Sequence, residues 1–114
     1  MGDERPGFAE LLDATDRALV LPGVGTPLEA MAAVQAGFPG IYLSGYATAG
    51  WQSGKPDIGL TGLREVLECL TAVRARTAYP VLVDADTGYG DVSNVTDTVR
   101  RLELAGARGI QLED

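Results

Sequence analysis

Acidic side chains follow short apolar runs at separate points of this 114-residue chain. Asp84 and Asp86 stand two residues apart directly after an apolar run, and Glu113 follows another. Proteins hold hard cations such as Mg²⁺ with a few carboxylates, several waters and an anionic substrate. These residues therefore predict a divalent-metal site, to which Asp57, in a long loop, would add a fourth carboxylate. The alternative is that Asp84 and Asp86 form an ordinary turn, where Asp is common.

Ser44 and Gly45 follow a third apolar run and offer a hydroxyl and unobstructed backbone N–H groups to a carboxylate or phosphate. A plain Ser-Gly turn is the alternative. Two phosphate-binding motifs are excluded. The dinucleotide fingerprint that begins at Gly23 has Leu28 where its third glycine belongs, and Pro56 replaces the Ser or Thr of a Walker loop.

Composition excludes several classes of function. The chain has no histidine, so neither a Ser-His-Asp triad nor a His-based zinc site is possible. One cysteine, Cys69, rules out a disulfide framework and favours a reducing, cytoplasmic compartment; its place in a helix favours a core role. With 16 acidic and 9 basic residues, the charge of −7 argues against nucleic-acid binding. The polar N-terminus predicts no secretory signal, and no apolar run is long enough to span a membrane.

Strand and helix patterns alternate along the chain, as in parallel βα units. Such sheets bind ligands at the carboxyl ends of their strands, where the acidic residues and Ser44 stand. Thr26, Pro27 and Glu29 form a helix-start signal with a capping box. We predict a single α/β domain over 1–114, with strands at 18–21, 41–43, 81–83 and 109–112, helices at 7–17, 27–37, 63–73 and 95–105, and a loop over 45–59.

Four segments resemble one known family. They are residues 41–45 (IYLSG), 56–59 (PDIG), 83–90 (VDADTGYG) and 111–114 (QLED). In this order they resemble the isocitrate lyase/phosphoenolpyruvate mutase superfamily, and within it the methylisocitrate lyase and phosphonomutase-like branch. The similarity runs from about Leu19 to Asp114. One departure is that Tyr46 and Ala47 stand where methylisocitrate lyases usually carry further glycines.

The resemblance implies a (β/α)₈ barrel, of which these residues form the N-terminal half with about four parallel strands. A complete barrel has roughly 250 residues. It also implies a bound Mg²⁺, with Mn²⁺ as a possible substitute. By resemblance, Asp84 is the direct metal ligand, Asp57, Asp86 and Glu113 hold the metal's waters, and the substrate is bound by Tyr42, Ser44 and Gly45.

The implied activity is that of a Mg²⁺-dependent lyase or mutase acting on a small 2-oxo or 2-hydroxy carboxylic acid. Carbon–carbon cleavage of a methylisocitrate-like substrate, through an enolate of pyruvate type, is the first expectation. A phosphonomutase or oxaloacetate decarboxylase is an alternative, as is a half-barrel that binds a metal, an anion or a partner chain without catalysis. We expect a homo-oligomer with a small carboxylate or phosphonate substrate.

No catalytic residue is assigned from the sequence. The family's mobile Lys-Cys-Gly-His-type loop, which carries acid–base groups, would come just after Asp114. The expectation is therefore little or no lyase activity for the 114-residue polypeptide alone.

Overall fold

In the computed structural model, which describes residues 5–114, four short strands form one parallel sheet in the order β1-β2-β3-β4. Ile41 lies beside Val81, and Leu82 lies beside Gly109. Residues 1–4, part of the segment predicted to carry no secretory signal, lie outside the described part. The strands are β1 (Gly23–Val24), β2 (Ile41–Leu43), β3 (Val81–Asp84) and β4 (Gly109–Gln111).

Helices connect the strands, so the expected fold class, a partial (β/α) barrel of four parallel strands alternating with helices, is confirmed. A π-helical turn over Ala49–Ser53 follows the third helix. None of the helices in the described range 5–114 is both long and apolar enough to cross a bilayer. The helices are α1 (Phe8–Asp13), α2 (Pro27–Gln35), α3 (Gly45–Thr48), α4 (Leu63–Arg74) and α5 (Val92–Leu104).

The hydrophobic core lies between one face of the sheet and the helices. On β2 and β3, alternate residues are fully buried, so Ile41, Leu43, Val81 and Val83 face the core. Because side chains alternate along a strand, Tyr42 and Asp84 lie on the opposite face. Cys69 of α4 is buried in the core, as its helical position predicted.

Helix α2 begins as its sequence predicts. Thr26 Oγ1 accepts a hydrogen bond from the Glu29 N–H at 3.2 Å, and Pro27 occupies the first helical position. The predicted capping box is altered in one respect: Glu29 Oε1 accepts from the Gly25 N–H at 3.1 Å, one residue before the cap. The helix ends before Gly37, which has φ +93°.

The predicted first strand, 18–21, is wrong. The strand is Gly23–Val24, and Val20 is 61% exposed. The reason is register: β2 begins at Ile41, and the Tyr42 N–H donates to the Pro22 carbonyl, so residues before 22 have no partner strand to pair with.

Two other boundaries also differ from prediction. The first helix ends at Asp13 and not near residue 17. The segment 45–59 is not wholly a loop, because it contains α3 and the π-helical turn. Its helical turns begin at the Ser44 cap, a local contact that hydrophobic periodicity does not report.

Candidate functional site

A cavity of about 340 Å³ is lined by carboxylates from two regions of the chain. Some stand at the carboxyl ends of β3 and β4, and one lies in the segment before α4. None of the described residues that line it is basic. The four predicted metal-site residues all line it, together with Ile58 and Gly59: they are Asp57, Asp84, Asp86 and Glu113. We call this space the acid cavity. The structure thus brings together residues that are up to 56 positions apart in the sequence.

Asp84, the last residue of β3, is held by backbone donors on both carboxylate oxygens. Its Oδ2 accepts from the Gly45 N–H at 3.1 Å, and its Oδ1 accepts from the Asp86 N–H at 3.0 Å. A Cβ at position 45 would lie 2.7 Å from Asp84 Oδ2, so any other residue would displace this carboxylate. Each oxygen retains acceptor capacity, since a carboxylate oxygen accepts more than one hydrogen bond.

The segment from Asp84 to Gly90, here called the acidic loop, has an unusual backbone. Asp86 and Tyr89 have φ values of +51° and +61°, which non-glycine residues rarely adopt. The Asp86 carbonyl accepts from the Glu113 N–H at 2.8 Å, so the loop is tied to the chain just beyond β4. Strained backbone of this kind persists only where the surroundings hold it, and it clusters at functional sites.

Two phenols lie near the acids. Burial, together with the charge of Asp84 and a hydrogen bond to it, raises the pKa of Tyr42 to about 12. Burial and the charges of Asp84 and Asp86 also raise the pKa of Tyr89. Both phenols therefore stay protonated at neutral pH. Tyr42 was among the predicted substrate residues, whereas Tyr89 was not. The position of Tyr89 between two glycines at the end of the acidic loop was the available signal.

The predicted substrate residues divide between two places. Gly45 donates its N–H to Asp84, whereas Ser44 lines a larger neighbouring cavity of about 730 Å³. Ser44 Oγ accepts from the Ala47 N–H at 3.3 Å and so caps α3. Asp57 lines both cavities, which makes it the residue common to them.

The donor set fits a largely hydrated hard cation. Within residues 5–114, no three acidic or cysteine side chains are arranged so that all three could contact one metal ion directly. Mg²⁺ does not need such a set, because it usually keeps several waters and takes one or two carboxylates. Four carboxylates around one small cavity also repel one another, and a bound cation would relieve that repulsion. The roles of the individual acids stay predictions.

The sequence matches the phosphoenolpyruvate phosphomutase family over residues 8–114, which is nearly the whole chain. The chain belongs to this family. A 2-methylisocitrate lyase of Aeropyrum pernix is 45% identical over 113 residues, covering 97% of this chain and 36% of the relative. A 2,3-dimethylmalate lyase of Eubacterium barkeri is 39% identical over 105 residues, covering 92% of this chain and 36% of the relative.

A solved phosphonopyruvate hydrolase, in complex with oxalate and Mg²⁺, superimposes with a TM-score of 0.80 at 35% identity. The match covers 86% of this chain and 34% of the hydrolase. The phosphomutase-family chain thus spans about a third of the length of these relatives. The superfamily implied by its four motifs is confirmed, and that superfamily contains both lyases and mutases.

Proposed function

We propose that the acid cavity is the divalent-metal site, and that it forms the substrate site together with the adjoining cavity lined by Ser44, of a lyase that cleaves a carbon–carbon bond in a small 2-hydroxy carboxylic acid similar to 2-methylisocitrate. The observation that carries the proposal is the convergence of Asp57, Asp84, Asp86 and Glu113 on one cavity, with Asp84 oriented by two backbone N–H groups. The choice of a lyase is supported by two relatives, 45% and 39% identical, that are lyases by name.

In this proposal Asp84 holds Mg²⁺ or Mn²⁺ directly, and Asp57, Asp86 and Glu113 hold its waters. When bound, the cation supplies positive charge that stabilises an oxyanion on the substrate. The backbone donors keep the Asp84 carboxylate in one orientation and so limit the reorganisation that binding requires. The four carboxylates also disfavour an anionic substrate until a cation is present.

Tyr42 and Ser44 serve as hydrogen-bond donors. Burial, the charge of Asp84 and a hydrogen bond to it raise the pKa of Tyr42 to about 12, so at neutral pH the phenol keeps its proton and donates a hydrogen bond to the Asp84 carboxylate rather than acting as a base. The Ser44 hydroxyl accepts from Ala47 but retains its own hydrogen for a carboxylate oxygen of the substrate. The Gly45 N–H is already used by Asp84, so Gly45 contributes by positioning that carboxylate.

The reaction follows from the substrate class. The 2-hydroxyl loses its proton, the C2–C3 bond breaks, and C2 becomes a carbonyl carbon. The electron pair stays on C3, next to a carboxylate that delocalises it, until C3 takes up a proton; the net products are a 2-oxo acid and a second carboxylic acid. None of the described residues is assigned as the base.

Oxalate, a planar dicarboxylate similar in shape to the 2-oxo acid product, tests the site. We expect calorimetry on the purified chain to show oxalate binding with Mg²⁺ present and none in its absence, because the cation must first offset the carboxylates. Binding of the same strength without Mg²⁺, or no binding in either condition, would contradict the proposal.

The match to the phosphoenolpyruvate phosphomutase family favours a phosphonomutase as the second candidate. The two reactions are separated by incubating a protein that carries this chain with Mg²⁺ and each substrate. A lyase releases pyruvate from 2-methylisocitrate, whereas a mutase changes the ³¹P NMR signal of phosphonopyruvate. Conversion of phosphonopyruvate alone would replace the lyase proposal with the mutase.

A further inference from the structure

Thr98 is a polar residue on the buried face of α5. It is 1% exposed, and Leu102, one turn further on, is fully buried. A valine of nearly the same shape would suit an apolar position here. The structure gives the hydroxyl a specific partner: Thr98 Oγ1 donates to the Gly88 carbonyl at 2.9 Å. The hydrogen bond joins the helix to the acidic loop.

Gly88 lies between the two strained residues of that loop. It has φ +97° and is itself buried, and its N–H donates to the Ala85 carbonyl at 2.9 Å, which closes a turn around Asp86. A buried carbonyl without a partner is costly. The Thr98 hydroxyl therefore satisfies the carbonyl of the last residue of this turn, which lies between the left-handed residues Asp86 and Tyr89.

Hydrogen bonds connect Asp86, in this turn, to two other residues that line the acid cavity. The Asp86 N–H donates to Asp84 Oδ1, and the Asp86 carbonyl accepts from the Glu113 N–H. A displacement of the turn would therefore move Asp86 and change the orientation of Asp84 and the position of Glu113. Thr98 itself does not line the cavity.

We propose that Thr98 is a positioning residue that sets the affinity of the acid cavity for a divalent cation, acting through the Gly88 carbonyl. The inference rests on the proposed function, because it requires the cavity to bind such a cation. Thr98 acts through the backbone of the loop that carries the carboxylates. Mutation of residues that support metal ligands typically lowers metal affinity about 10- to 100-fold.

Calorimetric titration of the full chain with Mg²⁺ alone tests this. We expect Thr98→Val to weaken Mg²⁺ binding about tenfold and Thr98→Ser, which keeps the hydroxyl, to bind nearly as wild type does. Leu102→Val is the matched control: it removes buried volume from the same helix and should lower stability without changing Mg²⁺ affinity. If Thr98→Val does not fold, Thr98→Ala carries the same test.

Hydrogen exchange without metal provides a second measurement. In Thr98→Val, the amides of Gly88 and Glu113 should exchange faster, whereas the Ile41 amide, bonded to Pro80, should not change. Wild-type affinity in Thr98→Val, equal weakening in Leu102→Val, or unfolding of both Thr98→Val and Thr98→Ala would overturn the inference alone. Absence of Mg²⁺ binding by the wild-type chain would overturn the proposed function as well.

Discussion

Asp84 connects two strands and the acidic loop through a single carboxylate. One oxygen accepts from Gly45, after β2, and the other accepts from Asp86, in the loop after β3. Hydrogen bonds to an ionised acceptor are stronger than neutral ones. The residue that we propose as the direct metal ligand is therefore also a structural tie, and its environment can be tested through its neighbours.

Gly45→Ala tests the close approach at this carboxylate. The added Cβ would lie 2.7 Å from Asp84 Oδ2, so we expect a loss of about 1–3 kcal/mol in the free energy of unfolding, together with weaker Mg²⁺ binding. Gly50→Ala is the control, because a Cβ there meets nothing within 4 Å. Urea denaturation and calorimetry provide the two readouts. Equal behaviour of the two variants would contradict the steric argument.

Tyr42 makes stability depend on alkaline pH. The native phenol holds its proton to about pH 12, whereas the unfolded chain loses it near the ordinary value of 10.0. The native state thus binds more protons in this interval, and the free energy of unfolding should fall as pH rises through it. In Tyr42→Phe, the free energy of unfolding should therefore fall less steeply with pH over the same interval. Phenolate absorbance of the two proteins provides the direct check, and identical titration curves near pH 12 would refute the assignment.

The sequence predicted the acids better than it predicted the residues that hold them. The sequence alone shows which carboxylates follow predicted strands and which belong to the family motifs. These two signals identified Asp57, Asp84, Asp86 and Glu113. Thr98 could not, since its hydroxyl matters only through a carbonyl ten residues away in the sequence and adjacent in the fold.

At the scale of elements, three of the four strands and helices α2, α4 and α5 were predicted close to their observed positions, whereas the first strand was misplaced and α3 was predicted as loop. Helices α2, α4 and α5 show apolar periodicity or start and stop signals, and each of these depends only on residues within or next to the helix itself. The first strand was misplaced because its position depends on pairing with β2, and a short apolar run carries no information about register. The parallel direction of the strands, in contrast, followed from the alternation of strand and helix.

The start of α2 supports a prediction at this scale. Thr26 accepts from the Glu29 N–H and donates to the Glu29 carboxylate, so Thr26→Ala should cost about 1 kcal/mol of unfolding free energy. Thr71→Ala is the matched control, because Thr71 is exposed and bonds only to the Leu67 carbonyl within its own helix. Thermal or urea unfolding would show the difference, and equal effects would mean that the cap does not stabilise α2.

At the scale of the molecule, β1 and β4 are the edge strands of the sheet formed by residues 5–114. Large apolar side chains are exposed as well, among them Trp51 at 70% and Leu104 at 81%. Open edges and exposed apolar surface favour association. We propose that the chain self-associates, and we expect more of it at higher salt, where the charge of −7 is screened. A salt-independent monomer by light scattering would contradict this.

The family relationship explains why the fold alone does not name the reaction. Relatives with the same scaffold include lyases, and the family takes its name from a mutase. A shared fold hosts different chemistries through the groups placed around one site. What these reactions have in common in our proposal is the cation at Asp84, so the metal site can be tested before the substrate is known.

Calorimetric titration with Mg²⁺ of the wild-type chain, Asp84→Asn and Asp57→Asn tests the proposed metal site most directly. Asp84 is half-buried and fixed by two backbone donors, whereas Asp57 is exposed and is assigned only a water-mediated contact. We expect wild type to bind Mg²⁺, Asp84→Asn to lose most of that affinity and Asp57→Asn to lose less. No binding by wild type, or equal losses in the two variants, would contradict the assignment of Asp84 as the direct ligand.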